Sequence, residues 1–299
     1  MEFFLFLPQM RMSFDRIVGA AQAAEAAGFT GVAGMDHMMP TGAERHPMYE
    51  AMITNTWLAA HTSTLTISSL VLCDAFRLPG VLAREAVSID HASGGRFELA
   101  IGWGSYVHDF EHYGILPNQP RERVQRLRET LEVLKALWAG ETVTYHGQYH
   151  RLEGAFQAPQ PLGKIPIVIG GSGPKTLALV REFADWWNLD TRYIDKLKGD
   201  KFQELTSQIG KARVSIQQMA AYVAPKADRA AITEVSMRRF GHSRPLIATG
   251  PEMLDHFSRE AERGIERVYL WTCDFAQPDS LAGFGEEVIA KMPVRALVS

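Results

Sequence analysis

Four short stretches hold the residue types that can do chemistry together. Asp36-His37 sets an imidazole beside a carboxylate, and imidazole gives or takes a proton near neutral pH. Ser68-Ser69-Leu70 puts two hydroxyls inside an apolar run, and Gly102-Trp103-Gly104-Ser105 follows another. Without side chains, the glycines let a flat ligand lie against the main chain. Gly170-Gly171-Ser172-Gly173 precedes Pro174, a residue suited to open a helix, so its N–H groups and the helix dipole suit an anion. An elongated ligand with a flat head and a phosphate tail fits this set. Each stretch alone is also readable as ordinary structure: a polar histidine, two serines satisfied by carbonyls, a tight loop with a surface Trp, a plain helix entry. His108, a turn beyond Ser105, reaches either a ligand or solvent. Arg77 and Arg96 read as ion-paired structure and Cys73 as a small buried residue. His146 and His150 lack a companion Cys or carboxylate cluster, so no metal is assigned.

The elements that carry these stretches alternate between apolar runs and helical patterns. Strands are expected at residues 3–7, 29–33, 65–73, 97–101, 165–169, 187–189, 214–223 and 268–271. The first helix starts near Phe14 behind Ser13 and ends at Gly28, and Tyr49, Ile53, Trp57 and Ala60 define one face of the second. Val124, Leu127, Leu131, Leu134 and Trp138 form the clearest amphipathic helix, while the arginines of 121–128 read as its solvated face. Helices are also expected at 228–240 and 281–292. Strict alternation over eight units predicts an α/β fold, a closed (β/α)8 TIM barrel in a single domain over 1–299. Residues 143–152 read as a β-hairpin outside it. A doubly wound open sheet is the second choice, and no G-x-G-x-x-G follows the first strand to support it. In such a barrel the four stretches meet at the C-terminal strand ends.

Composition narrows the partners. The 299 residues carry a net charge of −3 with no concentrated basic patch, which argues against nucleic acid. Two cysteines give no disulfide framework, FFLFLP is too short for a signal segment, and no apolar run spans a membrane. A cytoplasmic enzyme with a small-molecule substrate is expected.

MDH at 35–37, SSLVLCDAFRLP at 68–79, ID-ASGGRFELAIGWGS at 89–105, the segment 122–150, IPIVIGGSG at 165–173 and ADWWN at 184–188 resemble, in joint order, the bacterial luciferase-like superfamily. That resemblance implies a luciferase-like TIM barrel holding FMN or the deazaflavin F420, and does not decide between them. It implies Asp36 and His37 beside the ring as catalytic residues, and Ser68, Ser69 and Leu70 in a bulge with a non-prolyl cis bond behind it. Gly102 and Gly104 give the ring room, Ser105 and His108 lie near it, and Gly170, Gly171, Ser172 and Gly173 hold the phosphate. Ser105 stands where a sugar-phosphate dehydrogenase branch carries Glu, which argues against that substrate. The expected activity is hydride transfer between reduced F420 (or FMN) and a small, apolar substrate. The alternatives are an FMN- and oxygen-dependent monooxygenase and a non-catalytic flavin-binding protein. Met38, Met39, Trp271 and residues 229–242 are expected to wall the substrate pocket. The resemblance also implies a homodimer packed through helices near strands two and three.

Overall fold

The computed structural model describes residues 1–40, 43, 45–115, 119–194 and 200–293. Its strands, in chain order, are β1 (Glu2–Phe6), β2 (Gly31–Gly34), β3 (Thr66–Ser69), β4 (Leu72–Cys73), β5 (Leu99–Gly102), β6 (Val143–His146), β7 (Arg151–Ala155), β8 (Ile167–Gly170), β9 (Trp186–Asp190), β10 (Arg213–Val223), β11 (Leu246–Thr249) and β12 (Ile265–Thr272). The main sheet runs β3-β2-β1-β12-β10-β9-β8-β5-β4 with every pair parallel, and β11 lies beside β10. β3 and β4 are the two ends of one run, interrupted at a cis Leu70–Val71 peptide. The first half pairs with β2 and bridges Phe97 through Ile67; the second pairs with β5. This broken strand therefore joins both sheet edges and nearly closes the barrel.

Counted with β3 and β4 as one, the barrel path has the expected eight strands, and β11 is a ninth that lies off that path beside β10. The extra one is β11, four half-buried residues squeezed between Pro245 and the helix Gly250–Glu262, too short for an alternating signal. It exists because β10 is eleven residues long and changes partner, pairing with β12 over Val214–Ala220 and with β11 over Ala220–Val223.

Side chains alternate across the wall as a strand requires. Phe4, Phe6, Ala33, Met35 and Tyr269 fill the lumen, while Phe3 and Leu5 pack outward under the helices. Phe3 meets Phe257 and Phe284 edge-on, each at 5.3 Å. Each such ring, fully buried, stabilises by about 1.5–3 kcal/mol. At the N-terminal end, Arg267 Nη1 donates to both Glu98 oxygens at 2.8 and 2.6 Å, and its Nε to Glu2 at 2.8 Å. Its guanidinium lies 3.8 Å from the Trp186 ring and 4.0 Å from Phe4. Burial pushes the Glu98 carboxyl up, and the Arg267 charge opposes it.

One expected helix face turns the other way, and beside another two arginines expected in solvent turn inward. In the helix Ala51–His61 the buried residues are Ala51, Met52, Thr54, Asn55, Leu58 and Ala59, while Ile53 and Trp57 are exposed. In the helix Pro120–Trp138, Leu127, Leu131 and Leu134 are buried as expected, yet Arg123 is buried too and Arg126 pairs with Asp74. A periodic pattern marks an apolar stripe without telling which neighbour covers it. The last helix starts and stops earlier than expected, at Pro278–Glu287. Arg96 is structural but not ion-paired: its guanidinium donates to the carbonyls of Ala59, Thr62, Leu65 and Ser93. No helix among the described residues is long and apolar enough to cross a membrane.

β6 and β7 form an antiparallel hairpin outside the barrel, extending to Ala155. Glu129 anchors it by accepting from the N–H groups of Gln148, Tyr149 and His150 at 2.9–3.0 Å. His146 pairs with Glu153, and His150 Nε2 meets Thr130 Oγ1 at 2.9 Å. Burial, reinforced by the charge of Arg126 and opposed by Glu129, pushes the His150 imidazole down to about 4. Below an unfolded value near 6.5 the unfolded chain takes a proton that the folded one refuses, so stability falls as pH drops through this window. His150→Gln is expected to lose less Tm than the wild type between neutral pH and pH about 5. Equal losses in a melting series would show that His150 carries none of this dependence.

Candidate active site

A cavity of ≈ 520 Å³ opens at the C-terminal strand ends. Asp36-His37, Gly102–Ser105 and Gly170–Gly173 line it as expected, and of the Ser68-Ser69-Leu70 segment Leu70 alone does, followed by Val71–Cys73. Asn188, Asp190 and Gln217, at the ends of β9 and within β10, complete the wall.

His37 follows β2, and its partner is Asp109, not Asp36. Nδ1 lies 2.7 Å from Asp109 Oδ2, and the Met38 N–H donates to Oδ1 at 3.1 Å. A carboxylate only accepts, so Nδ1 carries the hydrogen and Nε2 is the basic nitrogen of the neutral ring. Asp109 lies on the short helix Val107–His112 with its side chain 2% exposed, whereas that of His37 is 26% exposed. The pair thus has a buried orienting acid and a ring that reaches the cavity, the geometry of a general acid or base.

Asp36 lines the cavity with its carboxylate already engaged. Oδ1 accepts from Arg77 Nη2 at 3.1 Å, and Oδ2 accepts from Arg77 Nη1 and from the Cys73 N–H at 2.7 Å. Arg77 also reaches Glu50 at 2.9 Å. Burial lowers the Arg77 pKa, but the charges of Asp36 and Glu50 outweigh it and hold the guanidinium above its ordinary value. Burial, then the Asp36 charge, push the Cys73 thiol up to about 12, which leaves it without nucleophilic thiolate.

Ser68 and Ser69 do not reach the cavity. Ser69 Oγ faces the helix layer and accepts from Asn55 at 2.9 Å, while Ser68 Oγ donates to the Glu98 carbonyl at 3.2 Å. Leu70 and Val71 line it instead, with the cis bond between them. His108 also lies outside: its side chain is 59% exposed and pairs with Glu111 at 3.4 Å. Successive helix residues point about 100° apart, so the inward place belongs to Asp109. Phe110 is buried beside it, but its other acidic neighbour, Glu111, is exposed, so Phe110 alone does not single Asp109 out.

Glycine at 102 and 104 is set by packing. A Cβ on Gly102 would lie 2.8 Å from Val71, and one on Gly104 would lie 2.6 Å from Cys73 Sγ and 2.8 Å from Phe110. Arg123, buried below, donates to the Gly104 carbonyl and lies 4.9 Å from the Trp103 ring. Ser105 lines the cavity and is exposed. In the second loop the Gly171 N–H is spent on the Asn188 carbonyl at 3.3 Å, and its own carbonyl accepts from Trp187 Nε1 at 2.7 Å. The N–H groups left for an anion are those of Ser172 and Gly173, at the entry to the helix Pro174–Phe183.

The sequence profile described as luciferase-like monooxygenase matches residues 1–279. The chain belongs to this family. Within and around the luciferase-like family, it is 33% identical over 175 residues to an F420-dependent glucose-6-phosphate dehydrogenase of Nakamurella multipartita, covering 57% of this chain and 50% of that one. It is 31% identical to an F420-dependent hydroxymycolic acid dehydrogenase of Mycobacterium tuberculosis over 62% of this chain and 51% of that one. The chain thus spans about half the length of these curated relatives. Among solved structures, an F420-dependent secondary alcohol dehydrogenase in complex with an F420-acetone adduct superposes with a TM-score of 0.80 at 20% identity, over 97% of this chain and 98% of that one. The last likeness establishes the luciferase-like TIM barrel.

The bidentate Asp36–Arg77 pair makes a structural claim that is separable from catalysis. Asp36→Ala should lower unfolding free energy by about 3–5 kcal/mol, because it leaves a buried guanidinium with Glu50 alone. Urea denaturation measures this. A loss below about 1 kcal/mol, the range of an exposed pair, would show that the pair does not hold the site together.

Proposed function

We propose that the chain is a single-domain oxidoreductase that uses F420 or FMN in the His37 cavity to exchange hydride with a small organic substrate. The observation that carries this reading is the His37–Asp109 pair on the wall of a cavity whose other walls are two glycine loops. The residues present suit such a cofactor: Leu70 and Val71 offer an apolar backing, Gly102–Gly104 a side-chain-poor wall, and Ser172 and Gly173 free N–H groups for a phosphate. When bound, the cofactor supplies the hydride exchange; the protein orients the partners and excludes water. Asp109 holds the Nδ1–H of His37, so Nε2 accepts the proton of a substrate hydroxyl on oxidation, or the imidazolium returns it on reduction. The buried carboxylate stabilises that imidazolium. An oriented histidine speaks for turnover and against a flavin carrier. The family's description favours, as a second reading, an FMN- and oxygen-dependent monooxygenase at the same site.

Titration of the purified chain with F420 and FMN, oxidised and reduced, tests the cofactor; binding of neither overturns the proposal. With the cofactor bound, His37→Ala should lower turnover by about 10²–10⁴-fold and leave cofactor affinity nearly unchanged. Asp109→Asn keeps the bond to the ring but withdraws the charge, and should slow the same half-reaction. A His37→Asn variant at the wild-type rate would reduce His37 to a positioning role.

A homodimer forms part of this reading. Between the helices Ala51–His61 and Pro79–Ser93 and the hairpin lies a groove of ≈ 860 Å³ bordered by Ile53, Leu78, Val81 and Phe156. Ile53, Leu78 and Phe156 are more than 60% exposed, an apolar surface that a second copy would cover. These are the helices next to β2 and β3. A reducing cytoplasm suits the two unpaired, buried cysteines. Leu78→Glu combined with Phe156→Glu should turn a dimer into a folded monomer in sedimentation equilibrium, and a wild-type monomer would remove this part of the proposal.

A further inference from the structure

Across the mouth from the His37 cavity lies a second chamber of ≈ 780 Å³. A small cavity of ≈ 40 Å³ sits between them, sharing Asp190 and Gln217 with the first and Met219, Ser243 and Trp271 with the second. Trp271 and the helix Arg229–Phe240 thus supply walls here, as expected, whereas Met38 and Met39 line neither chamber. Arg11, Arg16, Arg239 and His242 line the second chamber, and no Asp or Glu does among the described residues.

The three arginines are exposed, and they differ from four that brace the fold. Arg77, Arg126, Arg213 and Arg267 each meet a carboxylate. Among the described residues, none lies within ion-pair distance of Arg11, Arg16 or Arg239. Arg239 reaches only the Cys273 carbonyl, at 3.4 Å, and lies 5.4 Å from the Phe275 ring. The chamber's other wall is aromatic: Phe240 sits 5.8 Å from both Trp271 and Phe275. Arg11 (φ 59°) and Phe275 (φ 61°) both occupy left-handed backbone, uncommon for residues with a Cβ. The Arg11 N–H is pinned to the Pro47 carbonyl at 2.8 Å, so the backbone itself sets that side chain at the mouth.

Exposed guanidinium groups that line one chamber with no carboxylate beside them among the described residues repel weakly across water, and an anion between them reverses the sign of that energy. Their fork of donors matches the paired oxygens of a carboxylate, sulfonate or phosphate. The neighbouring rings suit an apolar body. We propose that the second chamber is the substrate subsite, and that the substrate is an organic anion. Its aromatic or alicyclic body rests on Phe240, Trp271 and Phe275, and its anionic group meets Arg11, Arg16 and Arg239. This rests on the reading of the His37 cavity as the redox site: the anion anchors one end, and the uncharged end points past Gln217 towards His37.

Calorimetry on the full chain with matched probes tests it, using 2-naphthoate and its neutral amide. Naphthoate should bind at least about tenfold tighter than the amide, the size of a charge-assisted hydrogen bond or more. Added salt should shrink that preference, a readout that needs no variant. Arg11→Met with Arg239→Met should abolish it at an unchanged melting temperature. Arg238→Met, next in sequence but outside the chamber, and His37→Ala should both leave it intact. Equal affinity for the two probes, no binding of naphthoate, or a preference that survives the double substitution each overturns the subsite. A chain that binds neither F420 nor FMN yet keeps the naphthoate preference refutes the redox reading alone and leaves the anion subsite standing.

Discussion

A guanidinium enclosed in an apolar barrel must be paired, and much of this molecule follows from how Arg267 is paired. It draws Glu2 from β1, Glu98 from the chain entering β5 and the Trp186 ring from β9 onto one strand, β12, at the barrel floor. Strands that are distant in sequence are thereby held in one register, since a one-residue slip would carry Arg267 to the outer face. Ion pairs this deep add little net stability, because desolvation offsets their attraction. Their effect is to select one arrangement among many. Above the floor, Phe4 and Tyr269 pack at 5.1 Å and fill the lumen there, and the cavity beside His37 opens at the opposite end.

At that end the wall is interrupted, and the interruption shapes the site. Between β3 and β4 the chain leaves the ladder at Leu70–Val71, which turns these two apolar side chains to the cavity. Asp36 then ties the returning strand to the end of β2 through the Cys73 N–H and Arg77. Two neighbouring residues thus divide the work. Asp36 holds backbone in place, and His37 is left to an acid from another helix, Asp109.

The order of strands and the four converging loops were legible because both rest on local signals. Apolar runs of strand length end in glycine or in Asp36-His37, and alternation with helices leaves few topologies. Asp109 was less legible than His108, since choosing between adjacent residues needs the helix phase, and a six-residue helix shows too little periodicity to set it. Ser68 and Ser69 read as site residues because two hydroxyls stand inside an apolar run that the resemblance places behind the ring, but hydroxyls in a wall satisfy the wall first. The floor pair was invisible for a different reason. Glu98 and Arg267 lie 169 positions apart, and nothing local in either strand announces the other.

The partner exchange of β10 has a consequence for how such a mouth can diversify. Where β10 parts from β12 to join β11, the 22 positions between these strands leave the barrel and return as a helical excursion whose last turns face the second chamber. The His37 cavity takes its residues from 36–193 plus Gln217, whereas the second chamber is built from 10–43 and from Met219 onward. The two chambers therefore draw on largely separate lengths of chain. Exchange of the 224–245 segment between such barrels would trade one recognition surface for another while the groups around His37 stay where they are, a modular arrangement inside what is topologically one wall.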